Sequence, residues 1–389
     1  MSIKFRSVRL QNWKNFAQVQ ADIRDRLFLV GPNASGKSNL LDAVRFLRDI
    51  ASVGGGFQKA IESRGGLRRV RCLAARNFNR GRVTIAVAIG DDTNPRRWTY
   101  ELTFSAEQRG QHRPILISET ASDNGHKVLG RPDDEDDADQ DRLTQTALEQ
   151  VNANKAFREV AVFLSSVRYL HLVPQVIREP DRGIDRVDDP FGGDFLLRLA
   201  KTPEKTREKR LEKINGALRV AVPQLDKLDL VPDEVGRWHL EARYAHWRVH
   251  GAKQDERDFS DGTLRLIGLL WSLLEGGRDA GPILLEEPEL SLHASVVRQL
   301  PSILSRVQRS GGAQVLLTTH SNDILDDPGL GIDEVILLEP GDEGTTASTV
   351  EKVDNVTQFL EAGMSLGEIL APLTEPGGVQ GLPMQLTLG

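Results

Sequence analysis

Eight consecutive residues of the chain have the types and spacing of a phosphate-binding loop. Gly31 and Gly36 are separated by four residues, and Lys37 and Ser38 follow directly. Glycine lets the backbone turn so that successive N–H groups point inward, and the N-terminus of a following helix adds positive potential. In such a loop the lysine reaches the β- and γ-phosphates of a nucleotide, and the serine hydroxyl binds Mg²⁺. Residues 31–38, called the P-loop below, therefore predict nucleotide binding.

The segments on either side of the P-loop have the order that phosphate binding requires. Residues 27–30 form an apolar run typical of a buried strand, and the apolar residues from 40 to 47 have helical spacing. The P-loop is therefore predicted to be the turn from a strand into a helix. We assign contacts with ATP to the glycines, the lysine and the polar residues of this turn, which are Gly31, Asn33, Ser35, Gly36, Lys37, Ser38 and Asn39.

A second apolar run, residues 283–285, ends in the two acids Glu286 and Glu287. Hydrolysis of a nucleotide needs carboxylates beside the magnesium ion and the γ-phosphate. Glu286, at the end of the strand, would hold Mg²⁺ through its water shell, and Glu287 would orient and polarise the attacking water. An acidic cluster on the surface after a strand is the alternative, and the P-loop makes the catalytic interpretation the stronger one.

A third apolar run, residues 315–317, is followed closely by His320. The carboxyl ends of parallel strands meet at one edge of a sheet. We therefore expect His320 at the same edge as Gly31 and Glu287, where it can sense the γ-phosphate. A histidine with a purely structural role is the alternative.

The rest of the chain predicts an α/β protein with added lobes. Alternating runs at residues 83–89, 98–104 and 115–118 predict a meander of antiparallel strands, a β-lobe. The acidic run at residues 133–141 predicts a solvated, mobile loop. Residues 143–228 have a mostly helical pattern, and α/β alternation returns after them.

Composition excludes several classes of protein. The 389 residues are 39% apolar and 27% charged, with a net charge of −6, so a globally basic nucleic-acid coat is excluded. The single cysteine, Cys72, cannot form an internal disulfide. The sequence has no apolar run near the ~20 residues that span a bilayer and no export pattern at its start. These features predict a cytoplasmic protein without a membrane partner.

These motifs together resemble the ABC-type ATPases, in the branch that contains RecF, the SMC proteins and the OLD-type ATPases. Residues 8–16 (VRLQNWKNF) resemble the strand–turn motif of that branch, in which the basic residue after the aromatic, here Lys14, contacts the nucleotide. Residues 259–263 (FSDGT) resemble its signature loop, with Asp261 in place of the usual first glycine. A serine hydroxyl at a helix N-terminus is also an anion site on physical grounds, and a simple helix cap is the alternative.

The resemblance implies the fold, the cofactor and the assembly. It implies an ABC-type head with a P-loop α/β core, an antiparallel β-lobe and an inserted helical lobe, with ATP and Mg²⁺ bound. In the family the signature loop, here Ser260 and Gly262, binds the γ-phosphate held by another subunit, which implies a homodimer or higher oligomer with composite ATP sites. Glu286 stands where the family usually has aspartate. Three residues compete for the family's magnesium-sensing glutamine, and they are Gln145, Gln150 and Gln175.

The expected domain limits follow from these motifs. The N-terminal half of the head, with the P-loop and the β-lobe, covers residues 1–142. A helical lobe covers residues 143–235, and the C-terminal half of the head covers residues 236–375. Residues 376–389, rich in glycine and proline, are expected to form a flexible tail.

Two biological roles remain open. No TOPRIM-like nuclease segment follows His320 and no long heptad repeat is present, so we expect a stand-alone ATPase that dimerises on ATP. It would control a separately encoded effector, such as a nuclease or a toxin, in bacterial genome or anti-phage defence, with slow turnover in the absence of that partner.

The alternative role is a RecF-like clamp that binds duplex DNA in repair. Its basis is a dense arginine stretch between residues 64 and 82, in which Arg68, Arg69 and Arg71 are the candidate phosphate contacts. Arginines that simply cover the surface of the β-lobe are the other interpretation of this stretch.

Overall fold

The computed structural model describes residues 3–74, 81–107, 112–179, 189–245, 252–275, 281–310 and 313–375. The strands, in chain order, are β1 (Lys4–Trp13), β2 (Phe16–Asp22), β3 (Arg26–Val30), β4 (Val83–Gly90), β5 (Trp98–Ala106), β6 (Pro114–Asp123), β7 (His126–Arg131), β8 (Arg168–Leu170), β9 (Leu225–Pro232), β10 (Trp238–Tyr244), β11 (Ala252–Asp255), β12 (Ile283–Glu286), β13 (Val315–Thr318), β14 (Val335–Glu339) and β15 (Thr346–Thr349).

The α-helices are mostly short, with three of 15 residues or more. In chain order they are α1 (Lys37–Ala51), α2 (Phe57–Glu62), α3 (Leu67–Val70), α4 (Asp134–Ala138), α5 (Arg158–Ser165), α6 (Pro174–Arg178), α7 (Phe195–Lys201), α8 (Glu204–Ala221), α9 (Asp261–Glu275), α10 (Ala294–Val297), α11 (Leu300–Arg309), α12 (Asn322–Leu325), α13 (Val356–Glu361) and α14 (Leu366–Thr374). None of the helices in the described part of the chain is long and apolar enough to cross a membrane.

The chain folds into two units. The first contains the described residues within Met1–Val167 and Gln314–Gly389, and the second contains those within Arg168–Ala313. The domain limits expected at residues 143 and 236 stay a prediction. The expected flexible tail, residues 376–389, lies outside the described residues.

An antiparallel sheet of six strands forms the β-lobe of the first unit, with the order β2-β1-β4-β5-β6-β7. It confirms the predicted meander, since β4 pairs with β5 and β5 with β6. In β1 the register against β4 shifts between Phe5 and Ser7. This shift keeps Phe5 and Val8, three residues apart, both fully buried.

A second sheet of the first unit carries the P-loop. Strand β3 lies between β14 and β13 and is parallel to both, and β15 pairs with β14 in antiparallel orientation. A strand that is covered on both faces has a continuous run of apolar residues and not an alternation of apolar and polar residues. This explains the apolar run at residues 27–30. Because β3 and β13 are parallel, with Thr318 opposite Leu29, the chain leaves both strands at the same edge.

The second unit has two small groups of strands. Strands β8 and β12 are parallel, with Leu170 opposite Leu285, and β9, β10 and β11 form an antiparallel sheet. The expectation of mostly helix between residues 143 and 228 is wrong at β8 and at the first residues of β9. Strand β8 is the shorter of the two. Its three residues are too few to show a pattern, and their conformation comes from pairing with β12.

The expected mobile acidic loop is also wrong. Asp134–Ala138 forms helix α4, which begins with a capping box at Asp133, and Asp136 is fully buried. The buried Arg131 donates to both Asp136 oxygens, at 2.9 and 2.6 Å, and it lies 3.4 Å from the fully buried Glu119. The physical reason is that a buried guanidinium needs carboxylate partners, and the acidic run supplies one of them.

Asp136→Asn is expected to destabilise the first unit. Burial alone raises the pKa of Asp136, but the hydrogen bonds and charge of Arg131 outweigh burial and lower it to about 2. Because the pKa in the folded state lies below the unfolded value of ~3.9, the stabilisation is present above pH ~4 and is lost as the pH falls toward 2. At pH 7 we expect a loss of roughly 3 kcal/mol in the free energy of unfolding.

Chemical denaturation at several pH values measures this effect. The exposed neighbour Asp137 provides the control, since Asp137→Asn should change stability by less than ~0.5 kcal/mol. A difference between wild type and Asp136→Asn that stays constant from pH 7 to pH 2.5 would contradict the assignment.

Candidate functional site

The backbone of the P-loop has the conformation that two glycines permit. Gly31 and Gly36 have φ angles of 149° and 97°, in the region that side chains rarely adopt. A Cβ atom on Gly31 would lie 2.4 Å from the Leu338 carbonyl oxygen, and one on Gly36 would lie 2.0 Å from Asn15 Nδ2. Both positions therefore require glycine, and the loop has the cradle shape that fits a phosphate group.

Lys37, the first residue of α1, is buried beneath this loop. It is 5% exposed, and its Nζ atom donates to the carbonyl oxygens of Gly31 and Pro32 at 2.8 and 3.1 Å. The same Nζ atom lies 3.4 Å from Nδ1 of His320. The ammonium group is thus held inside the loop.

His320 reaches the P-loop because of the strand order. Strand β13 ends at Thr318, and the Thr319 amide donates to the Leu29 carbonyl oxygen at 3.1 Å. The chain then turns toward the end of β3, where Gly31 follows. The structure therefore brings Lys37 and His320 together, while the sensing role of His320 stays a prediction.

Asn15 is a residue of the site that sequence reasoning missed. Its Nδ2 atom donates to the Ser35 carbonyl oxygen at 2.8 Å and to Thr345 Oγ1 at 2.7 Å, and its Oδ1 atom accepts from Asn39 Nδ2 at 2.8 Å. One amide group thus links the P-loop, helix α1 and the start of β15. Asn15 lies within the strand–turn motif, directly after Lys14, so its position in that motif was the available signal.

Asn15→Ala is expected to weaken ATP binding by about 5- to 100-fold, because it leaves polar groups of the P-loop without partners, which costs ~1–3 kcal/mol. Titration with a fluorescent ATP analogue measures the affinity. Gln20→Ala, at an exposed position of the edge strand β2, is the control. Equal affinity of both variants for the analogue would show that Asn15 does not support the loop.

Lys14, which is expected to contact the nucleotide, forms an ion pair with Asp42 of helix α1. Its Nζ atom lies 2.6 Å from Oδ2 of Asp42. Burial raises the pKa of Asp42, but the charges and hydrogen bonds of Arg64 and Lys14 outweigh burial and hold it below its usual value. Asp42 thus remains ionised and fixes both cations beside the loop.

A cavity of about 860 Å³ borders the P-loop within the first unit. Its lining includes Ala34 and Asn39 together with the three candidate arginines, Arg68, Arg69 and Arg71, which are exposed. Arg64 also lines the cavity, where it forms ion pairs with Asp42 and Asp49. Two further arginines of the basic stretch, Arg76 and Arg80, lie outside the described residues.

In the second unit, the two expected catalytic acids follow β12. Glu286 is the last residue of the strand, and Glu287 has a φ angle of +43°, a conformation often stored at functional sites. The carbonyl oxygen of Glu287 accepts from Nη1 of Arg265 at 3.2 Å. Arg265 is a buried residue of α9, and burial lowers its pKa, so helix α9 holds the backbone of the second acid.

His171 lies beside the first acid, and sequence reasoning missed it. Its Nδ1 atom is buried and lies 3.4 Å from Oε2 of Glu286. The residue directly follows β8, and because β8 runs parallel to β12, the ends of both strands meet. Because β8 was not predicted from the sequence, the position of His171 next to Glu286 was not predicted either.

The signature loop of the second unit has the geometry of a helix cap. Ser260 Oγ accepts from the Thr263 amide at 3.2 Å, and α9 begins at Asp261. A Cβ atom on Gly262 would lie 2.4 Å from the Ser291 carbonyl oxygen. This glycine therefore lets the helix start approach the residues that follow the two acids.

The three competing glutamines have different surroundings. Gln175 Nε2 donates to Oδ2 of Asp261 at 3.0 Å, in the signature loop. Gln150 Nε2 donates to Gln145 Oε1 at 3.3 Å, in the first unit. Neither arrangement assigns the magnesium-sensing role, which stays open.

The Ser38 hydroxyl fits a magnesium ion bound together with a nucleotide, since it is exposed at the start of α1 in the first unit. Glu286, the second expected ligand, is the last residue of β12 in the second unit. No group of three or more His, Cys, Asp or Glu able to hold a metal occurs among the described residues. Mg²⁺ usually binds one or two protein oxygens plus phosphates and water, so the Ser38 hydroxyl fits one such ligand, and the role of Glu286 stays a prediction.

The sequence matches, over residues 27–326, the family described as "AAA domain, putative AbiEii toxin, Type IV TA system". The chain belongs to this family. A second family, "P-loop containing region of AAA domain", matches residues 5–47 of this AAA protein. Among curated proteins, none matches the sequence.

Solved SMC head domains have the same fold as this AAA protein. An Smc head bound to the C-winged helix domain of ScpA is 13% identical, with a TM-score of 0.53 and coverage of 90% of this chain and 99% of that chain. The Smc head of Pyrococcus furiosus, with an extended coiled coil and bound to the C-terminal domain of ScpA, is 11% identical, with a TM-score of 0.53 and coverage of 92% and 99%. The Smc head of Pyrococcus yayanosii, with a coiled coil and joint, is 10% identical, with a TM-score of 0.51 and coverage of 93% and 99%.

These matches confirm the expected α/β fold of an ABC-type ATPase head and the resemblance to the SMC branch. At such low identity they show the fold alone. The family match shows that the chain is a P-loop ATPase of the AAA type.

Proposed function

We propose that this protein binds ATP with Mg²⁺ at the P-loop and hydrolyses it to ADP and phosphate. The observation that carries the proposal is the position of Lys37, buried within the glycine loop and 3.4 Å from His320. A lysine ammonium inside a loop framed by two glycines, next to a histidine that follows the neighbouring strand, is the arrangement needed to bind a terminal phosphate.

The first unit binds and orients the nucleotide in this proposal. The backbone N–H groups of the P-loop and the Lys37 ammonium neutralise the phosphates, and His320 contacts the γ-phosphate. Ser38 would hold Mg²⁺, which supplies charge neutralisation to the phosphates when bound, and the expected role of Glu286 in the second unit as a further ligand stays a prediction. Asn15 keeps the loop in its binding conformation.

The second unit supplies Glu287 as the general base. Its carboxylate orients the attacking water in line with the leaving group and accepts a proton from that water. The hydrogen bond between Arg265 and the Glu287 carbonyl oxygen holds this residue to α9, and the same helix carries the signature loop at its start. The proposed setting is the cytoplasm, since ATP is the substrate and the single cysteine makes no disulfide.

ATP-dependent dimerisation is the second part of the proposal. The N-terminus of α9, capped by Ser260, presents positive potential to an anion. It would receive the γ-phosphate of a nucleotide bound to the P-loop of a second copy, so that two copies enclose two ATP molecules.

The proposed biological role is control of a separately encoded effector, such as a nuclease or a toxin. The family description, which names a toxin and a type IV TA system, supports a defence setting. The similar Smc heads bind a domain of a separate protein, ScpA, which supports a separate partner for this ATPase as well.

Light scattering and a phosphate-release assay test the proposal on the purified full chain. With Mg²⁺ and ATP we expect a dimer mass and release of phosphate, and with ADP we expect a monomer. A chain that releases no phosphate and has one mass with either nucleotide, alone or with its effector, would refute the proposal.

Direct DNA binding is the second candidate function. Three exposed arginines that line one cavity, Arg68, Arg69 and Arg71, favour it. Each phosphate contact contributes a slope of about −0.9 to log K against log salt, so reversal of all three to glutamate should abolish binding of duplex DNA and its salt dependence. Reversal of three exposed lysines of α8, Lys205, Lys209 and Lys213, is the charge-matched control. Equal DNA affinity of the two triple variants would remove this role.

A further inference from the structure

Asp261, the residue that distinguishes this signature loop, is held by two side chains of helix α6. Arg178 Nη2 lies 2.6 Å from Oδ1 of Asp261, and Gln175 Nε2 donates to Oδ2 at 3.0 Å. Arg178 also donates to the Phe259 carbonyl oxygen at 2.6 Å. Both carboxylate oxygens and the backbone on the other side of Ser260 are therefore fixed by one short helix.

The position of Asp261 creates an electrostatic conflict with phosphate binding. It is the first residue of α9 and directly follows the capping Ser260. The helix N-terminus and the serine hydroxyl favour an anion at this place, whereas a carboxylate within a few ångströms repels one. A glycine at this position would produce no such repulsion.

We propose that Arg178 is a positioning residue for the composite ATP site, in which it neutralises Asp261 so that the N-terminus of α9 can receive the γ-phosphate. This inference rests on the proposed function. The guanidinium cancels the charge of the carboxylate, and its bond to the Phe259 carbonyl oxygen holds the loop on both sides of Ser260. The neutralised pair of Arg178 and Asp261 thus adds no net charge beside the phosphate, as is the case for the glycine that usually stands at this position in the family that the chain resembles.

Helix α6 keeps its place by contacts that do not involve this ion pair. Pro174 starts the helix, where proline is favourable, and Ile177 is 1% exposed. A Cβ atom on Gly268 of α9 would lie 2.9 Å from Leu172 Cδ1, so the segment before α6 packs closely against α9. Removal of the Arg178 side chain should therefore leave α6 in position.

A purely structural ion pair is the alternative interpretation. The two side chains are 21% and 38% exposed, and pairs with such exposure contribute little to stability. The two interpretations differ in one respect. If Arg178 neutralises Asp261, removal of Asp261 restores the dimer affinity that is lost in Arg178→Ala. If the pair is structural, the variant that lacks both side chains has a dimer affinity no higher than that of Arg178→Ala.

The test measures the dissociation constant of the ATP-bound dimer by light scattering. The parent protein is the full chain with Glu287→Gln, which prevents turnover, and every variant carries this change as well. Arg178→Ala should weaken the dimer at least tenfold, because the uncompensated carboxylate faces the γ-phosphate. Asp261→Gly should leave dimerisation within about threefold of the parent. The double variant, with both changes, should return to the value of Asp261→Gly. Arg178→Lys, which keeps the charge, should retain most of the affinity.

Two results would overturn the inference. Dimerisation of Arg178→Ala equal to that of the parent shows that the charge of Asp261 needs no compensation. A double variant as weak as Arg178→Ala shows that the arginine supports structure only. If Arg178→Ala does not fold, Arg178→Gln, which keeps a donor but no charge, replaces it with the same two criteria.

The failure of the inference is distinguishable from that of the proposed function. A parent protein that stays monomeric with ATP refutes composite-site dimerisation, and the inference fails with it. A parent that dimerises while the Arg178 variants behave like it refutes the inference alone.

Discussion

Lys37→Ala is expected to abolish detectable ATP binding. The ammonium group lies inside the P-loop, 2.8 Å from the Gly31 carbonyl oxygen, where in the proposed function it neutralises the β- and γ-phosphates. Loss of a charged contact with a phosphate typically removes a few kcal/mol, so affinity should fall by about 10²- to 10³-fold. Calorimetric titration with ATP and Mg²⁺ measures this change.

The control for this variant is another lysine that binds a loop carbonyl. Lys59 Nζ donates to the Gly54 carbonyl oxygen at 2.8 Å, and the residue is exposed on helix α2. Lys59→Ala should bind ATP as the wild type does. If the two variants lose affinity to the same extent, the P-loop is not the nucleotide site.

Glu287→Gln is expected to keep ATP bound and to stop its hydrolysis. Glutamine has the shape of glutamate but cannot accept the proton of the attacking water, so turnover should fall by at least about 10²- to 10⁴-fold, the usual contribution of a general base. Because ATP persists, the dimer should accumulate. Single-turnover hydrolysis and light scattering measure the two effects.

Glu339→Gln is the matched control for this variant. Glu339 also ends an apolar strand, β14, and is exposed, but it has no assigned role. It should hydrolyse ATP at the wild-type rate. Normal turnover of Glu287→Gln would remove the general base from the mechanism and leave ATP binding intact.

The centre of the first unit could be predicted from sequence because its signals are local. The P-loop spacing indicates the turn between β3 and α1, and the apolar run before His320 indicates β13. The turn from a strand into a helix depends on residues that are adjacent in the chain. The parallel pairing of β3 with β13 is indicated by the continuous apolar runs of both strands.

The parts that sequence reasoning missed depend on pairings between distant residues. Strand β8 has three residues and exists because β12 lies beside it, so His171 could not be placed next to Glu286. Asp136 is one of several similar acids, and only the position of Arg131 decides which of them is buried. The Arg178–Asp261 pair joins residues 83 positions apart, and neither residue type indicates the other.

The side-chain amide of Asn15 connects the turn between β1 and β2 with Thr345, the residue before β15. Its Nδ2 atom donates to Thr345 Oγ1, and the Thr345 amide donates in turn to the Asn15 carbonyl oxygen at 2.8 Å. Both strands that flank β3, β13 and β14, also come from the C-terminal part of the chain. During synthesis on the ribosome, a nascent polypeptide has its glycine turn long before the residues that shape it have emerged. We therefore expect newly made chains to acquire nucleotide only after residues 315–349 have been synthesised and have paired with β3 and Asn15.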